Sequence, residues 1–317
     1  MLTFSPIPSP ILIRPFEKRQ IVCAFHDIDG THSLIRDWPP VMSIVLDYAE
    51  KSGVPEGYDS DENVRLLAEK AGTEPLPVTD RFCVESAGLS ALTQMEWALR
   101  RAVDAGTVHI PCDIQQNREK IKRIFGGEEL FPTMPDSPEL DRFLKEHTPR
   151  LFRFYEKVLN AFCRDRNLEL AKKDPERFRI PGSPEFMRFL HEHGVRNYFV
   201  TGAVVEKGMG MYEEVVTLGY RIGEGETVDD IIGSTWEDKE PKDVIMKRLA
   251  KQLGIRGEQI LVVGDGRSEI SAGTQMGAVT ISRLNESADY QRELHKRLGT
   301  NVIVPNFKDP RLYAMFS

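Results

Sequence analysis

The chain has 317 residues, of which 40% are hydrophobic and 29% are charged, and its formal net charge is -7. This length favours one large or two ordinary domains, and this composition is typical of a globular protein with a sizeable core. The acidic balance disfavours a nucleic-acid-binding surface, and no apolar run approaches the roughly 18 residues that a membrane span needs.

The four cysteines lie far apart in the sequence and form neither a CxxC pair nor a zinc-ligand spacing. We therefore expect reduced thiols and a cytoplasmic protein. The N-terminal segment 1–16 is rich in proline and has no basic leader before an apolar stretch, so it does not resemble a signal peptide. We interpret it as an extension that lies on the surface or reaches a neighbour, although nothing else in the sequence indicates an oligomer.

The first predicted strand, residues 21–26, is short and apolar, and it ends in the polar segment DIDGT. Gly30 in this segment permits a sharp turn. Between residues 33 and 179 helical periodicity dominates, and clusters of proline and glycine divide the region. This pattern predicts a mainly α-helical insert.

Strands and helices alternate after residue 179. The predicted strands cover residues 197–200, 259–263, 278–282 and 301–304, and the predicted helices cover 183–193, 208–218, 241–253 and 268–276. This alternation is typical of a doubly wound, Rossmann-like parallel sheet. We therefore predict an α/β core domain of residues 1–32 and 180–317 that is interrupted by a helical domain of residues 33–179.

Polar side chains follow three of the predicted strands. Asp27 and Asp29 follow the first, Thr201 follows the second, and Asp265 follows the third, with Glu269 one helical turn later. Ligands of parallel sheets bind beyond the carboxyl ends of the strands, so these residues are expected to converge. Two carboxylates so close together repel each other, which separates them into a nucleophile and a general acid and base. An aspartate nucleophile with Mg²⁺, a lysine and a hydroxyl suits phosphoryl transfer.

The same residues resemble the motifs of the haloacid dehalogenase superfamily of phosphohydrolases, and they occur in the family's order. The first motif is DIDGT at residues 27–31. The second is Thr201 after a strand, the third is a lysine at a helix start, and the fourth is the GDGRSE segment at residues 264–269. The resemblance covers the predicted core and leaves out the helical insert.

The resemblance implies a role for each matching residue. Asp27 would be the nucleophile, and Asp29 would protonate the leaving group and later activate water. Thr201, Gly202 and the lysine would bind the phosphate. Asp27, the backbone carbonyl of Asp29, and Asp265 would hold Mg²⁺, Asp265 directly or through water.

Two lysines fit the third motif. Lys242 matches the shorter of two family distances to the glycine that ends the helix, and Lys239 matches the longer distance only with one inserted residue; we prefer Lys242. Glu269 stands where the family often has aspartate. Because its arm is longer by one methylene, we expect a water-mediated role near the metal.

These expectations combine into a predicted function. By the same resemblance, an acid at the position of Asp29 implies phosphate esters, so we predict a phosphatase that acts on a small phosphorylated metabolite through an aspartyl-phosphate. A phosphomutase shares every motif and remains an alternative. A non-catalytic interaction protein on the same core is a second alternative, against which the intact motif residues argue. The insert stands where the family has a helical cap that selects the substrate, but no motif in it names that substrate.

Overall fold

The computed structural model describes residues 10–87, 89–129, 136–234 and 242–316. The chain divides into two compact units. The first consists of Met1–Leu34, Ala171–Gly233 and Lys242–Ser317, and the second consists of Ile35–Leu170 and Ser234–Pro241. The predicted division into a core domain of residues 1–32 and 180–317 and a cap of residues 33–179 that selects the substrate stays a prediction.

Seven strands and thirteen α-helices make up the regular structure of the described residues. The strands are β1 (Ile11–Leu12), β2 (Cys23–His26), β3 (Arg196–Glu206), β4 (Asp230–Ser234), β5 (Ile260–Gly264), β6 (Val279–Arg283) and β7 (Val302–Val304). The helices of the insert are α1 (Trp38–Ser52), α2 (Asp61–Lys70), α3 (Pro77–Glu85), α4 (Ala91–Asp104), α5 (Ile114–Phe125), α6 (Pro138–Leu159) and α7 (Asp165–Ala171). The later helices are α8 (Ser183–Glu192), α9 (Gly210–Thr217), α10 (Lys242–Leu253), α11 (Arg267–Met276), α12 (Asp289–Leu298) and α13 (Pro310–Ala314).

The strands form one sheet in the order β1-β7-β6-β5-β2-β3-β4. Strand β2 lies between β3 and β5 and is parallel to both, with His26 opposite Phe199 and Val263. The pairs β5–β6 and β6–β7 are also parallel, whereas β1 runs antiparallel to β7. The predicted α/β class with a mostly parallel sheet is confirmed.

Both faces of the sheet are covered, which explains why β5 is apolar throughout and why β2 is apolar as far as His26. On one face Ala24, Leu261 and Val263 pack with residues of α8 and α13, and on the other Phe25 and Val262 pack with residues of α10 and α11. Neighbouring residues of one strand therefore enter different clusters, as the alternation of side chains along a strand requires. This packing fixes the strand ends from which the site is built.

In residues 35–170 of the second unit the described regular structure is helical. Serine side chains begin three of its helices, because Ser60, Ser90 and Ser137 each accept a hydrogen bond from a backbone amide of the first turn. In its core, Trp97 stacks on Phe82 with the ring centroids 3.8 Å apart. In the part of the chain that the structure describes, no helix is long and apolar enough to cross a bilayer.

The structure corrects several predicted elements. Strand β3 runs on to Glu206, past the predicted end at Val200, and β4 and α12 were not predicted. The N-terminal segment is expected to form a surface extension or reach a neighbour, and its residues 1–9 lie outside the described residues. Ile11 and Leu12 pair with β7 of the same chain, and Leu12 is 49% exposed, so the expectation stays a prediction. Short and irregular strands of this kind lack a periodic pattern in the sequence.

Candidate active site

The site begins where β2 ends. The amide of Asp27 donates to the carbonyl of Val263 on β5 (2.9 Å), which continues the parallel ladder by one residue, and the Asp27 side chain is buried. The chain then turns sharply, because the carbonyl of Ile28 accepts from the amides of Thr31, His32 and Ser33. The turn therefore fixes the position of Asp27 at the carboxyl edge of the sheet.

Gly30 lies in the left-handed backbone region, with φ of 74°. A Cβ at this residue would lie 2.0 Å from Oδ2 of Asp265. Glycine is thus required for two separate reasons, the backbone conformation and the close approach of the Asp265 carboxylate. This is the physical basis of the glycine in the DIDGT segment.

A buried lysine contacts two carboxylates at the first turn of α10. Nζ of Lys242 donates to Oδ1 of Asp27 (2.5 Å) and to Oε2 of Glu269 (3.4 Å). All three side chains are at least nine-tenths buried. The structure therefore brings Lys242 together with Asp27, across 215 residues of sequence. Lys239 lies outside the described residues.

Glu269 is held by the glycines of the fourth motif. Its Oε1 accepts from the amide of Gly266 (2.6 Å), which caps the start of α11, and its Oε2 accepts from the hydroxyl of Ser268 (3.3 Å). A Cβ at Gly264 would lie 2.3 Å from the Cγ of Glu269. The glutamate side chain is therefore packed in one orientation, with one oxygen toward Lys242.

Asp265 completes a group of three carboxylates. One oxygen each of Asp27, Asp265 and Glu269 lie within 4.8 Å of one another. The hydroxyl of Thr31 lies 3.5 Å from Oδ2 of Asp27 and 3.4 Å from Oδ1 of Asp265. Clustered carboxylate oxygens are the ligands that Mg²⁺ prefers, so the residues present fit this cation.

The charges of the cluster change the pKa of each member. Burial raises the pKa of Asp27 above its usual value, and the Lys242 ammonium offsets part of that rise. Burial and the neighbouring carboxylates of Asp27 and Glu269 raise the pKa of Asp265 much further. The pKa of Glu269 is lowered, because Lys242 and two backbone amides outweigh its burial. The pKa of Lys242 is raised, since Asp27 and Glu269 outweigh the burial of its ammonium.

The remaining predicted residues lie nearby without joining this cluster. The carboxylate of Asp29 is not a member of the three-carboxylate group, and its backbone forms a bridge with Ser33. Thr201 is buried in β3, two residues beyond the Phe199 that pairs with His26, and its hydroxyl accepts from the amide of Ala203 (3.1 Å). Gly202 follows it and is half-buried. The roles of these residues stay predictions.

Arg283 was missed by the sequence reasoning. From the end of β6 its Nη1 donates to the carbonyl of Gly30 (2.8 Å), and its Nε donates to the carbonyl of Pro305 (3.2 Å). Burial lowers the pKa of this guanidinium, and Asp265 opposes that change. The only available signal was its place at the end of a predicted strand.

Among the residues that the structure describes, the members of the carboxylate cluster all belong to the first unit. A buried ammonium and a hydroxyl donor beside clustered carboxylates can stabilise negative charge on an anionic group bound there.

Known proteins were compared with this chain. Residues 141–277 match the family model of the haloacid dehalogenase-like hydrolases. The matched stretch contains Thr201, Lys242, Asp265 and Glu269 and begins after Asp27. A search of the curated proteins finds no similar sequence.

Similar solved structures include a predicted phosphatase from Clostridium acetobutylicum, which is 13% identical and aligns over 93% of this chain and 98% of its own with a TM-score of 0.49. A putative phosphoglycolate phosphatase from Lactobacillus delbrueckii subsp. bulgaricus is 16% identical over 94% and 99%, with a TM-score of 0.48. A β-phosphoglucomutase from Clostridium difficile is 13% identical over 94% and 97%, also with a TM-score of 0.48. Likeness at this level carries no argument about the reaction. The family match confirms the resemblance seen in the motifs: residues 141–277 are similar to the haloacid dehalogenase-like hydrolases.

Proposed function

We propose that this chain is a magnesium-dependent phosphatase that hydrolyses a small phosphate monoester through an aspartyl-phosphate. The observation that carries the proposal is the buried ion pair between Lys242 and Asp27 within a group of three carboxylates. A lysine exposed to solvent would need no carboxylate partners. A buried ion pair commonly adds little to the stability of a fold, so stability alone does not account for this one. A buried ammonium beside a strand-end aspartate is well placed to attract an anionic group to that aspartate.

Charge balance supports the divalent cation. When Asp27, Asp265 and Glu269 are ionised and Lys242 is protonated, their formal charges sum to -3 + 1 = -2. A divalent cation neutralises this excess. Asp27, Asp265 and the backbone carbonyl of Asp29 would hold the ion, which when bound would offset negative charge on the phosphoryl oxygens.

In the proposed first step a carboxylate oxygen of Asp27 attacks phosphorus, and the ester P–O bond breaks. The leaving oxygen takes a proton from Asp29. The ammonium of Lys242 stabilises negative charge on the phosphoryl oxygens. The hydroxyl of Thr201 accepts a hydrogen bond from a backbone amide, which leaves its own proton to donate to a phosphoryl oxygen.

In the second step Asp29 removes a proton from water, whose oxygen attacks phosphorus. The bond between phosphorus and Asp27 breaks, which releases inorganic phosphate and regenerates the carboxylate. The same residue serves as acid and then as base, as reversal of proton transfer requires. A cytoplasmic location is part of this proposal and is supported by four cysteines that are all unpaired.

The test is phosphate release from a general aryl phosphate with and without Mg²⁺. We expect Asp27→Asn to abolish release, because the neutral amide is a poor nucleophile. In Asp29→Asn, Asp27 can still attack phosphorus, but hydrolysis should be slow, so the phosphorylated protein should accumulate and be detected by intact mass measurement. Asp243→Asn, which removes a surface ion-pair partner of Lys247 on α10, is the control and should behave as wild type.

Each outcome separates the proposal from its rivals. A phosphomutase would release little phosphate and would require a bisphosphate activator. A non-catalytic protein would release none from a broad panel of esters, and Asp27→Asn would change nothing. Wild-type turnover in Asp27→Asn would remove the covalent mechanism.

A further inference from the structure

A buried chain of hydrogen bonds lies beside the candidate active site and has no part in the proposed chemistry. Nδ1 of His26 lies 3.0 Å from Nε2 of His32, and Nε2 of His26 lies 3.1 Å from Oδ1 of Asn197. Nδ1 of His32 contacts the hydroxyl of Ser183, which lies 2.5 Å from the hydroxyl of Tyr220. All five side chains are buried. We call these five residues the His chain.

The direction of every bond in the His chain follows from Asn197. Its Nδ2 donates to the carbonyls of Met187 (3.0 Å) and Thr227 (2.9 Å), so its Oδ1 must accept. Nε2 of His26 therefore carries a proton. If His26 is neutral, its Nδ1 accepts, and Nε2 of His32 must donate to it.

The hydrogen bonds beyond His32 are assigned in the same way. Nδ1 of neutral His32 accepts, so the hydroxyl of Ser183 donates to it, and the hydroxyl of Tyr220 donates to Ser183. Every donor and acceptor is then satisfied with both imidazoles neutral and protonated on Nε2. A single arrangement of protons accounts for the whole chain.

The two histidines flank the turn that carries the proposed nucleophile. His26 directly precedes Asp27, and His32 directly follows Thr31. Their mutual hydrogen bond therefore joins the two ends of the turn through side chains, in addition to the backbone bonds to Ile28. Asn197 and Ser183 anchor this closure to β3 and to the start of α8.

The surroundings of the His chain are apolar. The ring of His32 stacks on Phe307 with the centroids 5.2 Å apart and meets Phe199 edge-on at 5.5 Å. These ring contacts do not depend on the imidazole nitrogens, and buried polar groups give little net stability. The hydrogen bonds, unlike the packing, set the relative position of the two ends of the turn.

We propose that the hydrogen bond between His26 and His32 positions Asp27 for attack, with the rest of the His chain holding both rings in place. The two histidines are positioning residues, since neither contacts the reacting atoms. The effect on catalysis rests on the proposed function, whereas the effect on the turn does not.

Two substitutions at His32 separate hydrogen bonding from packing. His32→Phe keeps an aromatic ring at this position and loses the hydrogen bonds to His26 and Ser183. His32→Gln loses the ring but places an amide nitrogen near the position of Nε2, from which it can donate to His26. If the hydrogen bond matters, His32→Gln should retain more activity than His32→Phe; if packing matters, the order should reverse.

We expect His32→Phe to lower kcat by about tenfold or more with KM for the aryl phosphate changed less than about twofold. We expect His32→Gln to recover most of that loss. Thr280→Val is the matched control, because it removes a buried hydroxyl that is bonded to Asn301 in the same sheet without contacting the turn. Its kcat should equal that of wild type. Equal kcat in wild type and His32→Phe would overturn the proposal.

A readout without substrate keeps the two proposals separate. Hydrogen exchange at the amides of Thr31 and Ser33 should become about tenfold faster in His32→Phe and remain near the wild-type rate in His32→Gln. Imidazole ¹⁵N shifts in the wild type should show both His26 and His32 protonated on Nε2. Protonation of either ring on Nδ1 alone, or unchanged exchange in His32→Phe, would refute the closure of the turn. If these results are as expected but the wild type hydrolyses no ester, the proposed function alone fails.

Discussion

Replacing Gly30 with alanine tests the geometry of the site most directly. The added Cβ would lie 2.0 Å from Oδ2 of Asp265 and 2.8 Å from its Cγ. Since real Cβ contacts are essentially never below 3.0 Å, the turn or the Asp265 carboxylate must shift by about 1 Å. Either shift changes the position of Asp265 relative to Asp27 and so disturbs the proposed cation ligands.

Two effects destabilise the folded state of Gly30→Ala. A non-glycine residue in the left-handed region costs about 1–2 kcal/mol, and overpacking a rigid site costs a further 1–3 kcal/mol or so. We therefore expect the free energy of unfolding to fall by about 2–5 kcal/mol. A displacement of about 1 Å at a reacting centre lowers turnover by about 100-fold.

Gly194→Ala supplies the matched control. Gly194 has φ of 77°, close to that of Gly30, and no atom lies within 4 Å of the position that its Cβ would take. This variant should lose only the backbone part, about 1–2 kcal/mol. The assays are denaturant unfolding with and without Mg²⁺, and phosphate release.

Stabilisation by Mg²⁺ should disappear in Gly30→Ala and persist in Gly194→Ala. If both variants lose the same stability and respond equally to Mg²⁺, Asp265 does not approach the turn as closely as described. Equal turnover in both would further show that the contact between Gly30 and Asp265 has no bearing on activity.

Two further predictions concern the charges of the cluster. Lys242→Met should lower the unfolding free energy of the metal-free protein by about 3–5 kcal/mol, because Asp27 and Glu269 would remain buried without their cation; an unchanged denaturation midpoint would contradict the buried pair. The pKa values of Asp27 and Asp265 are raised on folding, so protonation of these groups stabilises the fold. The stabilisation by protonation is fully present below the usual carboxyl pKa of about 4 and is lost as the pH rises through the raised pKa values of Asp27 and Asp265. The free energy of unfolding of the metal-free protein should therefore fall as the pH rises over this range. Saturating Mg²⁺ should flatten this dependence. A free energy of unfolding that rises with pH would show that repulsion among the carboxylates of the cluster does not destabilise the fold.

The sequence revealed the features of this protein that depend only on residues adjacent in the chain. Residues 260–263 are apolar throughout because β5 is buried on both faces, and this pattern predicts a strand without knowledge of its partners. The turn at Gly30 is equally local, since a left-handed residue favours glycine. The order of the polar strand ends was visible for the same reason, and it carried the resemblance to the haloacid dehalogenase-like hydrolases.

The tertiary structure decided which side chains meet. Lys242 and Asp27 are separated by 215 residues, and their contact depends on how α10 packs against the sheet. The expected water-mediated role of Glu269 near the metal stays a prediction. Packing against Gly264 and Gly266 places one of its oxygens 3.4 Å from Nζ of Lys242, a contact that the sequence did not show.

The contact of Arg283 with Gly30 and the closure of the turn by His26 and His32 were likewise invisible in the sequence. Both contacts depend on the direction in which a side chain points. That direction is set by the register of the parallel strands and by the packing around each ring. The DIDGT segment together with the polar ends of the later strands therefore predicted where the site lies, and the folded chain determined which residues hold its carboxylates in place.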